Sequence, residues 1–161
     1  MEKFKKRTYR SWSEFINDIK FLFKNRKTIK GINNGKLINK TFQERLMLAV
    51  TGVNNCRYCT YYHSRLALES GISSDELGEI LEGTVDKVPE KEQFALLYAQ
   101  HWADQAGSPD QDFKAELINT YGEHKAELIE TAIKTINFGN LTGNTLDYLL
   151  FIITFGILGN P

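Results

Sequence analysis

Residues 44–71 read Glu-Arg-Leu-Met-Leu-Ala-Val-Thr-Gly-Val-Asn-Asn-Cys-Arg-Tyr-Cys-Thr-Tyr-Tyr-His-Ser-Arg-Leu-Ala-Leu-Glu-Ser-Gly, and they hold both cysteines of the chain and one of its three histidines. An apolar run, a pair of asparagines and a second amphipathic run predict two consecutive helices, the second starting beside Cys56. At roughly 100° per residue, Cys56, Cys59 and His63 fall within an arc of roughly 60° on one helix face. Two thiols and a base therefore point the same way.

Asn54 and Asn55 are both expected N-caps, which puts Cys56 in the first turn, where unpaired N–H groups and the helix dipole favour a negative charge. A thiol there is expected to fall from its free pKa of about 8.5 toward neutrality. His63, one turn past Cys59, stands where a general base is needed. Three other readings of the pair are open. Two cysteines can be small buried hydrophobes. With His101, His124 or a carboxylate, Cys56, Cys59 and His63 could form a zinc site, although no second cluster has ligand spacing. A structural disulfide between residues three apart closes too small a loop to stabilise much.

The same residues resemble the carboxymuconolactone decarboxylase and alkylhydroperoxidase D superfamily over about Thr41 to Leu81. A glutamate twelve residues before the first cysteine, the Cys-x-x-Cys pair and a histidine four beyond it are all present, as Glu44, Cys56, Cys59 and His63. The resemblance implies an all-α, compact multi-helix alkylhydroperoxidase D-like domain that acts as a thiol-dependent peroxidase or disulfide reductase. It further implies that Cys59 attacks the peroxide, that His63 and Glu44 relay protons and that Cys56 resolves the sulfenic acid to a disulfide. The partners implied are a hydroperoxide or disulfide substrate and a lipoyl-bearing or thioredoxin-like reductant, in a homo-oligomer such as a trimer or hexamer. No cofactor or metal is implied. One position departs from the pattern: Tyr58 stands where the best-studied branch has a second histidine, so Tyr58 either donates a hydrogen bond in its place or packs. Glu44 also has a structural competitor, because Thr41-Phe-Gln-Glu44 reads as a capping box.

The chain of 161 residues, 42% hydrophobic and 25% charged, suits a single all-helical soluble domain. Its zero net charge hides an asymmetry: residues 1–40 carry twelve Lys and Arg against three acids, a surplus of nine that the remainder cancels. This basic N-terminal arm and helix has no nucleic-acid motif, so docking on the acidic body of its own or a neighbouring subunit is expected, without nucleic acid or membrane. The N-terminus lacks a secretory pattern, and a thiol pair then suits a reducing cytoplasm.

Elsewhere the periodicity is helical. Ser13 to Lys24 predicts an amphipathic helix capped by Ser11 or Ser13, with Trp12, Phe15, Ile19 and Phe23 on one face. Gly31 to Gly35 predicts a loop. Helices follow over Thr41–Val53 and Asn55–Ser70, and another opens with the capping box Ser73-Ser-Asp-Glu76 and stops near Gly83. Pro89 and Pro109 each suit a first turn, and Gly122, Gly139 and Gly143 are expected to punctuate the C-terminal third. His101 and Trp102 read as packing residues and His124 as solvated, while Tyr61 and Tyr62 flank the site. Leu146 to Leu158 is almost wholly apolar yet too short for a membrane span of about 20 residues, so it is expected to be buried, at a subunit contact. Two alternatives to the peroxidase reading stand beside it: a non-redox decarboxylase-like enzyme with His63 as base, and a redox-sensing or metal-binding interaction module.

Overall fold

A computed structural model describes residues 4–159. Its described residues form eight helices and no strand: α1 (Trp12–Lys24), α2 (Arg26–Asn33), α3 (Lys40–Asn54), α4 (Arg57–Glu69), α5 (Ser74–Glu82), α6 (Glu90–Asp104), α7 (Gln111–Tyr121) and α8 (Glu123–Ile153). The fold is all-α, as the periodicity indicated. α3 is the central element, with α4, α5, α6 and α8 packed around it. Every residue from Phe42 to Thr51 is buried, and a helix apolar around most of its circumference can sit nowhere else. Gly52 allows α5 to come close, since a Cβ there would stand 2.8 Å from the Leu81 carbonyl oxygen.

Burial on this scale brings a buried cation with it. Arg45 of α3 donates from Nε to Glu76 Oε1 at 2.5 Å and from Nη1 to Glu92 Oε2 at 2.9 Å, tying α3 to α5 and α6. Glu76 was expected to close a capping box with Ser73. Only half of that box forms: Ser73 Oγ accepts from the Glu76 N–H, while the Glu76 carboxylate turns inward to Arg45. A charged partner is a stronger hydrogen-bond donor than a backbone amide.

Three other expectations are corrected. Residues 26–33 are helical through Gly31, where a loop was expected; a Cβ on Gly31 would lie 2.6 Å from Leu37, so this glycine serves close packing. Gly139 and Gly143 do not break α8, which runs 31 residues. The buried stripe Ile129, Ile133, Ile136, Asn140, Asn144 and Asp147 outweighs a glycine cost of about 1 kcal/mol each. Pro89 is the N-cap of α6, and Asp110, one residue after Pro109, is the N-cap of α7, so neither proline occupies a first helical turn. The apolar C-terminal stretch, expected at a subunit contact, is largely exposed on the single chain: Leu149 is 50% exposed, Ile153 70% and Phe155 85%, with Asp147 and Phe151 buried. The helix ends at Ile153, followed by Phe155 and Gly156 at positive φ.

The N-terminal arm lies on the body of its own chain. Arg7 donates to the Ala103 carbonyl, Asn144 Nδ2 donates to the Arg7 carbonyl at 3.0 Å, and the Tyr9 N–H donates to Thr145 Oγ1 at 3.2 Å. α1 is capped by Ser11 and contains no buried residue; Phe15 stacks on Phe138 of α8, whereas Trp12 and Phe23 remain exposed.

Candidate functional site

The site grows from the two-residue joint between α3 and α4. α3 runs on to Asn54, and Asn55 adopts a left-handed conformation (φ 52°) as its C-cap. Neither asparagine therefore caps α4, contrary to expectation; Cys56 does so itself, its Sγ accepting from the Cys59 N–H. Both asparagines are spent in ending the preceding helix. The joint is held by a polar seam on α8, where Asn137 Oδ1 accepts from Asn54 Nδ2 at 3.0 Å and Asn144 Nδ2 donates to the Asn54 carbonyl at 2.8 Å.

Cys56 and Cys59 are both free thiols, with their sulfurs 2.6 Å apart. Cys56 is fully buried, and Cys59 is half-buried and packed against the hydrophobic core. The hydrogen bond from Cys59 is the main reason that the Cys56 thiol is lowered to about 7; burial opposes this, the Cys59 and Tyr58 N–H groups assist, and Asp147 opposes. Cys59 is pushed upward, first by its hydrogen bond to Cys56 and then by burial. The hydrogen bond thus favours the thiolate on Cys56 over Cys59.

A pH titration follows from this. Thiolate ultraviolet absorbance of the reduced protein is expected to show one sulfur titrating at about 7. Cys59→Ala removes the donor and is expected to move that midpoint up. The native value lies below that of a free thiol, so the native state binds fewer protons than the unfolded chain between the two values. Stability of the reduced protein therefore rises with pH across that window and is lost as pH falls through about 7.

One turn along, His63 meets Glu44 of α3, with Nδ1 and Oε2 2.7 Å apart, and Lys40 Nζ lies 2.9 Å from Glu44 Oε1. Burial would raise the Glu44 carboxyl, but the hydrogen bonds from His63 and Lys40 outweigh it and hold the group below its ordinary value. An ionised carboxylate only accepts, so Nδ1 carries the proton and Nε2 is left for chemistry. The expected cap role of Glu44 is not taken up, because Asn39 caps α3 by accepting from the Thr41 and Phe42 N–H groups.

Tyr58 points elsewhere. Its hydroxyl donates to Asp147 Oδ1 of α8 at 2.9 Å, so it joins a second cluster rather than the His63–Glu44 pair. Asp147, Gly143, Lys40 and Lys6 were all missed from the sequence; the one available signal was an isolated acid, Asp147, heading an apolar run. Gly143 matters because a Cβ there would lie 2.9 Å from Cys56 Sγ. Gly143→Ala is expected to destabilise the reduced protein by about 1–3 kcal/mol in urea unfolding. In a Cys56→Ala background most of that cost should vanish, since the clashing sulfur is gone.

Tyr61 and Tyr62 are exposed beside the site, Tyr62 edge-on to His63. His101 lies against Phe113 and Trp102 is in the core, while His124 is exposed. No group of three or more His, Cys, Asp or Glu placed to hold a metal occurs among the described residues. No described helix is long and apolar enough to cross a membrane.

Residues 25–100 match the carboxymuconolactone decarboxylase family. Over that span the chain is similar to this family. The match takes in α2 to α5 and most of α6, a longer span than the motif suggested, and its Cys56–Cys59 pair is compatible with the alkylhydroperoxidase-like branch. No curated protein and no solved structure gives a significant match to the chain. Members of this decarboxylase family are usually enzymes, and they include non-redox decarboxylases.

Proposed function

We propose that this protein is a member of the carboxymuconolactone decarboxylase family and acts as a thiol-dependent peroxidase or disulfide reductase. The observation that carries the reading is the 2.6 Å approach of the half-buried Cys59 sulfur to the buried, acidified Cys56 sulfur, on the helix whose histidine is oriented by a carboxylate. Cys59, the less buried residue of the pair, loses its proton to Cys56 or to His63 Nε2 and attacks the O–O bond. It becomes a sulfenic acid, and the alkoxide leaves as an alcohol after protonation. Cys56, as thiolate, then attacks the Cys59 sulfur, forming the disulfide and expelling hydroxide, which leaves as water. An external dithiol, lipoyl-bearing or thioredoxin-like, reduces the bridge and is itself oxidised to a disulfide. Glu44 orients His63, and Tyr58 holds the first turn of α4.

The whole chain acts as one domain in this reading, within a reducing cytoplasm. The exposed Leu149, Ile152, Ile153 and Phe155 support a homo-oligomer in which another copy covers the end of α8. The cycle is tested by mass spectrometry of the reduced protein before and after equimolar hydroperoxide. An intramolecular Cys56–Cys59 disulfide, seen as the loss of two hydrogen atoms, is expected. Unchanged mass would exclude the cycle.

A further inference from the structure

The N-terminal arm reaches the thiol pair through a charge cluster that the proposed cycle does not use. Asp147 is fully buried; its Oδ1 accepts from Tyr58 Oη at 2.9 Å and lies 2.7 Å from Arg57 Nη2, while Oδ2 faces Lys6 Nζ at 3.4 Å. The Lys6 side chain is itself only 3% exposed. Lysine is almost never buried without a partner, so this arm segment is specifically seated. Asp147 lies one turn past Gly143, the position at which α8 touches the Cys56 sulfur. The cluster therefore stands beside the thiol couple, and Tyr58 is also in contact range of Gly143.

We propose that Asp147 and Lys6 form a positioning pair for the Cys56–Cys59 couple: they anchor the first turn of α4 through Tyr58 and Arg57 and balance the charge beside the Cys56 sulfur. The proposal rests on the reading of this couple as a redox site, but its readout needs no peroxide turnover. The titratable and charged groups around Cys56 are Cys59, Tyr58 and Arg57 of α4, Asp147 of α8 and Lys6 of the arm. α3 meets the sulfur with uncharged Asn54 and Asn55, and the His63–Glu44–Lys40 chain begins on the next turn of α4. Asp147 opposes the thiolate. Its two cations offset that opposition, so the net field depends on all three members being present.

The test is the pH midpoint of thiolate absorbance in the reduced full-length protein. Asp147→Asn keeps an acceptor for Tyr58 but deletes the negative charge, so the midpoint should fall by roughly 0.5–1 pH unit. Lys6→Met deletes a positive charge and should raise it by a comparable amount, whereas Lys6→Arg should leave it in place. Opposite shifts support the charge balance, because mere loosening of the site moves both variants the same way. Shifts in one direction, or no shift in either, would overturn it. If Asp147→Asn does not fold, the lysine variants decide: Lys6→Met raised above Lys6→Arg supports the proposal, and equal midpoints refute it. Opposite shifts in a protein that forms no disulfide with hydroperoxide would refute the peroxide cycle while leaving the charge balance standing.

Discussion

Cys59→Ser is expected to lower hydroperoxide consumption in the presence of a dithiol by about 10³-fold or more. Cys59 is the less buried residue of the pair and the proposed attacking sulfur, and serine offers an oxygen that stays protonated near neutrality and cannot be oxidised to a sulfenic acid. Cys56→Ser should behave differently. It leaves the attacking sulfur in place, so one equivalent of peroxide is consumed and a dimedone-reactive sulfenate accumulates on Cys59. Retained turnover in Cys59→Ser, measured as peroxide loss against the same dithiol, would remove that sulfur from the chemistry. A reversed pattern, with sulfenate trapped on Cys56 of Cys59→Ser, would exchange the two roles.

Arg45→Leu is expected to cost about 3–5 kcal/mol, the largest stability loss among the changes considered. Arg45, Glu76 and Glu92 have side chains no more than 14% exposed, and the arginine is the only ion-pair partner of both carboxylates among the described residues. The loss arises because two acids are left without a counter-charge, rather than because the intact trio is a large net stabiliser. A combined Arg45→Leu, Glu76→Leu, Glu92→Leu variant should accordingly recover most of it. Urea denaturation measures both. A loss under about 1 kcal/mol for the single change would mean that water reaches the acids.

Local spacing made much of the site legible. Cys56, Cys59 and His63 share a helix face because 3.6 residues per turn leaves no other arrangement once the segment is helical. Glu44 lies on a different helix, and only the resemblance to a family connected it to His63 before the coordinates did. Where local signals competed, the outcome needed the whole chain. Asn39 and Thr41 are both plausible caps for α3, and Asn39 takes the role, freeing Glu44 to turn inward. Asn54 and Asn55 are good caps for α4, yet both are consumed by the end of α3. Gly139 and Gly143 look like helix breakers until the buried stripe of α8 is seen to run through them.

The sequence by itself determined that the regular structure is helical and that two thiols and a histidine lie on one helix face, because these depend on residues within two turns of each other. Tertiary structure alone decided which sulfur is buried, where Glu44 points and that Asp147 and Lys6 stand beside the pair. Asp147 is separated from Tyr58 by 89 positions and from Lys6 by 141, and no periodicity extends across such distances. Those contacts follow from α8 and the arm closing over the joint between α3 and α4, a matter of which buried surfaces fit together.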